Sequence, residues 1–298
     1  MQTDTLHRFL IESANVRGEW VHLDDTWQSL LDCADYPAPI KKVLGEALAA
    51  TLLLSATLKY QGSLSLQING TGAVSLLLIQ ATSEGTVRGL ARWIKEPEGD
   101  DLATLFADAN LVITIEPNDG NKRYQGIVAL QKESLAASLA EYFQQSEQLD
   151  TRLWLAAGED SVAGLLLQRL PNRDAQDEAE NKEGWQRSIQ LSDTVKDDEL
   201  LNLDTKTLLH RLFHEEDVRL FEPNTLSFQC SCSRDKVEAM VVSLGQKETD
   251  ALLHEQGEIA INCEFCNRRY QLDAIDVQHL FSESISTTSV TESEKTVH

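Results

Sequence analysis

The chain has 298 residues, 42% of them hydrophobic, so it is long enough to form about two domains with a substantial core. Its net charge of −22 at pH 7 argues against non-specific binding of nucleic acid, which requires a basic surface. No basic segment followed by an apolar stretch begins the chain, and the longest apolar run, 47–58, is too short to cross a bilayer. We therefore expect a soluble cytoplasmic protein without a membrane partner.

The first 170 residues predict a mixed domain of helices and mainly antiparallel strands. An apolar stretch after Pro37 and Pro39 predicts a buried helix over 40–60, and apolar runs separated by turn residues then predict successive hairpins. The strands are expected at 64–68, 74–79, 86–94, 111–116, 124–130, 151–156 and 162–170, with a helix capped by Ser134 over 134–148. Consecutive hairpins favour an α+β fold over a doubly wound α/β sheet.

The composition changes after residue 170. Residues 171–184 have no large apolar side chain and an acidic excess, which predicts a solvated linker. Helical signals return over 185–214, where Asp204 is a candidate cap and an apolar stripe is formed by Leu208, Leu209, Leu212 and Phe213. Because this charged segment is too short to form its own core, it must lie on a neighbouring element or be loosely held.

Four of the five cysteines form two close pairs near the C-terminus, Cys230-Ser-Cys232 and Cys263-Glu-Phe-Cys266. Four thiolates match the tetrahedral, soft-ligand preference of Zn²⁺. A segment of about 55 residues is too small to form a stable core without a structural metal ion. We therefore predict one Zn²⁺ per chain in the reduced protein. Between the pairs, a helix capped by Ser233 is expected over 233–244 and a strand over 258–262.

Other residues near and outside this cluster allow two interpretations. Arg234, Lys236, Arg268 and Arg269 either moderate the negative charge of a four-thiolate centre or are ordinary surface charges. Cys33 lacks a partner cysteine nearby in the sequence and is either a structural thiol, which we expect, or a reactive one. If the metal leaves, each close pair can form a disulfide, and the Cys-x-Cys ring is of the strained and labile kind.

The pattern of four cysteines followed by Tyr270 resembles that of the redox-regulated 33-kDa heat-shock chaperonins of bacteria, a family of holdases. The resemblance covers nearly the whole chain. It includes Gly85-Thr86-Val87-Arg88-Gly89, Tyr124-Gln125-Gly126-Ile127-Val128 and Tyr142-Phe143-Gln144-Gln145-Ser146-Glu147-Gln148 of the first domain.

The resemblance implies an ATP-independent chaperone, not an enzyme, that is switched on by oxidation. It implies that the reduced, zinc-bound form is inactive. Oxidation would then join Cys230 with Cys232 and Cys263 with Cys266, expel the zinc and unfold the C-terminal module. The linker would loosen and uncover apolar surface that captures unfolding client proteins, and the active form would be a homodimer.

These observations together predict four regions. They are an N-terminal client-binding domain (1–170), a linker that is acidic and then helical (171–224), a zinc redox-switch module (225–282) and a disordered tail (283–298). The alternative is a zinc-ribbon adaptor that binds nucleic acid or a transcription partner, for which adjacent Arg268 and Arg269 give a basic hint. An enzyme built on the first domain lacks a recognisable catalytic motif.

Overall fold

The computed structural model describes residues 4–120, 122–130, 132–171 and 178–291, without the side chains of 178 and 283–291. The chain forms two compact units, Met1–Gln229 and Cys230–His298. The boundary therefore falls immediately before the first cysteine of the C-terminal cluster, and the linker predicted over 171–224 belongs to the N-terminal unit.

Strands begin and end the N-terminal unit, and the C-terminal unit is mostly helical. The strands are β1 (Thr5–Ile11), β2 (Val16–Leu23), β3 (Gly62–Asn69), β4 (Val74–Thr82), β5 (Thr86–Trp93), β6 (Asn110–Pro117), β7 (Tyr124–Ala129), β8 (Thr151–Ala157), β9 (Val162–Arg169), β10 (Val218–Leu220), β11 (Asn224–Thr225), β12 (Ser227–Phe228), β13 (Ile259–Asn262) and β14 (Arg269–Leu272). The helices are α1 (Asp25–Leu31), α2 (Ala38–Thr57), α3 (Leu102–Phe106), α4 (Leu135–Tyr142), α5 (Glu178–Ser192), α6 (Asp197–Asn202), α7 (Thr205–Phe213), α8 (Arg234–Leu244), α9 (Gln246–Gln256) and α10 (Ala274–Thr291).

Two sheets build the N-terminal unit. The first has the order β10–β1–β2–β9–β8, with β11 also pairing with β1, and the second has the order β12–β5–β4–β3–β6–β7. Neighbouring strands in both run antiparallel, except that β12 pairs with β5 in parallel. Strands β13 and β14 form a separate antiparallel hairpin in the C-terminal unit. The predicted α+β class with mainly antiparallel sheets is confirmed.

Helix α2 packs against strands of both sheets and forms the centre of the main core. The helix starts after Pro37, whose carbonyl accepts the first helical hydrogen bonds, and Pro39 lies in its first turn, where its missing N–H has no cost. Its apolar residues cover nearly all sides, which suits a helix enclosed by two sheets. Among the described residues, no helix has the length and apolar character needed to cross a membrane.

The middle segment lies on the first sheet, on the face opposite α2, which is one of the two arrangements expected from the sequence. Leu208, Leu212 and Phe213 of α7 are buried there, and the side chain of Asp204 accepts hydrogen bonds at the start of that helix as predicted. Polar contacts add to this packing, since the His22 ring nitrogen Nε2 lies 2.8 Å from the carbonyl oxygen of Leu201.

The prediction of a solvated linker over 171–184 needs correction from residue 178 onward, where α5 begins. Glu, Ala and Lys favour helix, and Gly184 lets the helix approach Ala14 closely, so α5 packs although it carries many charges. Residues 172–177 of that prediction lie outside the described residues.

The tail predicted as disordered is likewise corrected for 283–291, because α10 continues to Thr291 without a glycine or proline to interrupt it. Residues 292–298 are not described.

Several predicted boundaries differ from the structure. The helix predicted over 134–148 is α-helical only to Tyr142, and a π-helical turn follows at Phe143–Glu147. The side chain of Ser134 caps this helix, as predicted. Strands β1 and β2 were not predicted. In β2, Glu19 lies at a buried position and interrupts the alternation of apolar and polar residues. Such a strand becomes recognisable only through its partners.

Candidate metal and redox centre

The sulfur atoms of Cys230, Cys232, Cys263 and Cys266 all lie within 4.8 Å of one another in the C-terminal unit. The Sγ atoms of Cys230 and Cys263 are 3.6 Å apart, and those of Cys232 and Cys266 are 3.4 Å apart. Each cysteine is half-buried, and all four are free thiols rather than disulfides. These contacts run between the two sequence pairs, as expected for four side chains that converge on one point.

The first pair is held by the start of α8. The Ser233 side chain accepts a hydrogen bond from the Lys236 backbone N–H at 3.2 Å, which confirms Ser233 as the predicted helix cap. The Lys236 ammonium donates to the carbonyl oxygen of Ser231 at 2.6 Å. Because Ser231 separates the two cysteines, this bond restrains the short Cys-x-Cys loop.

The second pair occupies the turn of the β13–β14 hairpin. The Cys263 N–H donates to the Arg268 carbonyl at 2.9 Å, and the Asn267 N–H donates to the Cys263 carbonyl at 2.8 Å. Asn267 has a φ of 54°, a left-handed conformation that asparagine adopts more readily than most residues. This tight turn brings Cys263 and Cys266 onto one side of the hairpin, where they meet the first pair.

Tyr270, on the return strand β14, adds a polar contact to the cluster. Its hydroxyl donates a hydrogen bond to the Sγ of Cys232 at 3.1 Å. In the sequence, Tyr270 stands out only through the family resemblance, and nothing there indicates its contact with Cys232. The hairpin is what places this side chain beside the first cysteine pair, and only a prediction of β14 and its register reveals that.

The pKa values of these thiols shift in opposite directions. Burial raises the pKa of Cys232, but hydrogen bonds from Tyr270 and the neighbouring thiols outweigh burial and lower it to about 7. Burial and the neighbouring thiols raise the pKa of Cys266 to about 12. Four thiolates within 4.8 Å of one another repel, so they require a compensating cation to coexist. A soft divalent cation with tetrahedral preference fits both the charge and the donor set.

The basic residues around the cluster have individual roles and do not form one basic face. Arg234 pairs with Glu238 and Asp276, at 2.7 and 2.8 Å, and Arg269 pairs with Glu258 at 3.0 Å. Lys236 and Arg268, by contrast, are directed to the first cysteine loop and to Tyr270. This arrangement gives no support to the nucleic-acid adaptor considered from the sequence.

Cys33 lies in the N-terminal unit and takes no part in the cluster. Its thiol donates to the carbonyl oxygen of Ser29 at 3.3 Å, one turn earlier in the chain. In the part of the chain that the structure describes, the four C-terminal cysteines are the one group of three or more ligand-type side chains close enough to share a metal ion.

A second feature of functional interest is the face of the first sheet that α5, α6 and α7 cover. We call it the covered face. It consists of the buried strand residues Phe9, Ile11, Val16, Trp20, Leu165 and Leu167. These residues pack against Leu208, Leu212 and Phe213 of α7, so removal of the helices would expose a continuous apolar surface. Large exposed apolar patches are typical of surfaces that bind other proteins.

Comparison with known proteins gives a consistent result. The family profile described as "Hsp33 protein" matches residues 4–273. A protein named 33 kDa chaperonin from Nitrosococcus oceani is 47% identical over 282 residues, covering 95% of this chain and 96% of its own. Another of that name from Shewanella baltica is 44% identical over 290 residues, covering 97% and 99%.

The fold is similar to a solved structure. A crystal structure of the 33 kDa chaperonin (heat shock protein 33 homolog) from Thermotoga maritima aligns with a TM-score of 0.81 at 21% identity. The alignment covers 96% of this chain and 100% of the other.

Proposed function

The chain belongs to the Hsp33 protein family, and from this premise we propose that it is a cytoplasmic, ATP-independent holdase that is activated by oxidation. It has the function of a 33 kDa chaperonin, as its relatives are named. The observation that carries the finer proposal is the convergence of Cys230, Cys232, Cys263 and Cys266 within 4.8 Å. Its partners are unfolding proteins, and its oxidised form is a homodimer.

In the reduced state the four cysteines hold one Zn²⁺. The four-sulfur donor set and its convergence on one point support this assignment. In small zinc domains the metal supplies on the order of 10 kcal/mol of folding free energy. The hydrophobic cluster of the C-terminal unit has few fully buried members, among them Val241 and Leu272, so this unit depends on the metal for its fold.

Oxidation removes the ligands. In each pair, one thiolate attacks a peroxide oxygen, the O–O bond breaks, and hydroxide leaves. The second thiolate then displaces hydroxide from the resulting sulfenic acid and forms the disulfide, so two thiolates have given two electrons to one peroxide. The pairs are Cys230 with Cys232 and Cys263 with Cys266. A disulfide sulfur is neutral and is a far weaker metal ligand than a thiolate, so the C-terminal unit loses the metal that stabilises its fold.

The signal reaches the N-terminal unit through the chain itself. Strands β10, β11 and β12 tie residues 218–228 to both sheets, and the Gln229 N–H donates to the Val87 carbonyl at 3.0 Å. The next residue is Cys230. We assign 171–224 as the linker and 225–282 as the redox module. Unfolding of the module frees the C-terminal end of the linker, whose helices then leave the covered face.

The test compares reduced and peroxide-treated protein in an aggregation assay with a thermally unfolding client, without ATP. The oxidised protein should suppress light scattering, and the reduced protein should not. Zinc release, followed with a coloured chelator, should accompany activation. Light scattering of the oxidised protein alone should report a dimer. Equal suppression by both states would contradict the proposed switch.

A further inference from the structure

The four cysteines do not have equivalent surroundings. Cys232 is the cysteine to which a side-chain hydroxyl donates, from Tyr270 at 3.1 Å. Cys230 and Cys266 instead accept hydrogen bonds from the backbone N–H groups of Cys232 and Arg268. A backbone donor persists in every substitution of its residue except proline, whereas the hydroxyl contact to Cys232 depends on the Tyr270 side chain.

The orientation of this phenol is determined by two neighbours. The Tyr270 ring packs against the apolar core of the C-terminal unit, and its backbone pairs with Ile261 across the hairpin. Arg268, two residues earlier, makes a side-chain hydrogen bond with the Tyr270 oxygen. A guanidinium has donors only, so the phenol oxygen accepts from Arg268 and its single proton is left to point at the sulfur.

We propose that Tyr270 is a positioning residue that protects Cys232 from oxidation in the reduced protein. This inference rests on the proposed function and deepens it by naming a residue that sets the threshold of the switch. The hydroxyl occupies a lone pair of the Cys232 sulfur and stabilises its thiolate as a metal ligand. The same bond withdraws electron density from the sulfur and so slows its attack on peroxide.

The step that Tyr270 slows is the first one at this pair. The Cys232 thiolate attacks one oxygen of hydrogen peroxide, the O–O bond breaks, and hydroxide leaves with its electron pair. The Cys230 thiolate then displaces hydroxide from the sulfenic acid of Cys232, and two protons from solvent convert the hydroxides to water. When Tyr270 is replaced by phenylalanine, the ring and its packing remain, but the sulfur lone pair becomes accessible.

The experiment uses full-length, reduced, zinc-loaded protein and compares wild type with Tyr270→Phe. The matched control is Arg269→Gln, which breaks the Arg269–Glu258 pair on the same strand but removes no cysteine contact seen in the structure. Loss of an outer partner of a ligand typically weakens metal binding about 10-fold or more. We therefore expect Tyr270→Phe to lose zinc to a competing chelator at about 10-fold lower concentration, and to release it faster in peroxide.

A site-resolved measurement separates positioning from general loosening. Iodoacetamide labelling followed by peptide mass spectrometry should show Cys232 labelled several-fold faster in Tyr270→Phe, with Cys263 labelled at the wild-type rate. With Co²⁺ in place of zinc, the sulfur-to-metal charge-transfer band should move to longer wavelength in the same variant. The labelling rate of Cys232 and the position of the Co²⁺ band should be the same in Arg269→Gln as in wild type.

Two results would overturn the inference. Equal zinc release and equal Cys232 labelling in wild type and Tyr270→Phe would show that the hydrogen bond has no effect. Uniformly faster labelling of Cys232 and Cys263 would show that Tyr270 only supports the fold. A wild-type protein that binds no zinc would instead refute the proposed function, so the two failures are distinguishable.

Discussion

Phe213 is the residue whose removal should test most directly whether α7 covers a latent binding surface. It lies at the end of α7, is 1% exposed, and its ring centroid is 6.1 Å from that of Phe9 on the covered face. Phe213→Ala leaves the covered face itself intact, because Phe213 belongs to the helix and not to the sheet. The change therefore weakens the cover without altering the surface beneath it.

The size of the effect follows from burial. Truncation of a fully buried phenylalanine costs about 3–5 kcal/mol in lost transfer free energy and cavity formation. Helices α5, α6 and α7 are held to the unit mainly by one apolar face, so their local opening costs less than global unfolding, which is itself only about 5–15 kcal/mol. The open population should therefore rise by roughly two to four orders of magnitude.

The assay is suppression of client aggregation by reduced, zinc-loaded Phe213→Ala, with binding of an apolar fluorescent dye as a direct report of exposed surface. We expect the variant to suppress aggregation and to bind the dye without peroxide, whereas the wild-type protein should do so only after oxidation. The matched control is Phe106→Ala, because Phe106 is equally buried but lies in the main core around α2. Inactive reduced Phe213→Ala, despite lowered stability, would refute the view that α7 masks the client surface.

Four further outcomes are expected. Elemental analysis of reduced protein should find one zinc per chain, retained in Cys33→Ser and lost in Cys263→Ser. Limited proteolysis should cut residues 178–213 much faster in oxidised than in reduced protein, and equal rates would mean that module and linker are uncoupled. The unit Met1–Gln229, expressed alone, should suppress aggregation regardless of oxidation; an inactive fragment would place part of the client site in the C-terminal unit. Burial raises the pKa of Glu19 from 4.5 to about 7, so the folded protein binds more protons than the unfolded chain between these values and its stability falls as pH rises through them. Glu19→Gln should remove this slope and raise the free energy of unfolding at pH 8 by about 3 kcal/mol at most, measured as a higher Tm. An unchanged slope of stability against pH in thermal unfolding would show that Glu19 ionises normally.

Much of the candidate centre was predictable from the sequence, because its signals are local. Two close cysteine pairs in a short, core-poor segment indicate a metal site whatever the rest of the chain does. The caps at Ser134, Asp204 and Ser233 were also predictable, since a cap depends on one side chain and the backbone two or three residues later.

What the sequence left open depends on residues that are distant along the chain. Strand β2 pairs with β9, so that Trp20 lies opposite Leu165, and no local pattern indicates this contact. The buried Glu19 makes β2 look unlike a strand until the sheet around it is known. The sequence allowed the middle segment to be docked or loose, and only the apolar face formed by β1, β2 and β9 decides for docking.

The same distinction applies within the centre. Spacing alone identified Cys232 as a ligand candidate, but it assigned no role to the phenol beside it. Tyr270 reaches the Cys232 sulfur because β14 returns along β13 and the hairpin meets the loop before α8. Sequence therefore determined which chemistry this protein carries, through residue types at short spacing. Tertiary structure decided which cysteine contacts the phenol and which surface is covered, because both depend on contacts between elements far apart in the chain.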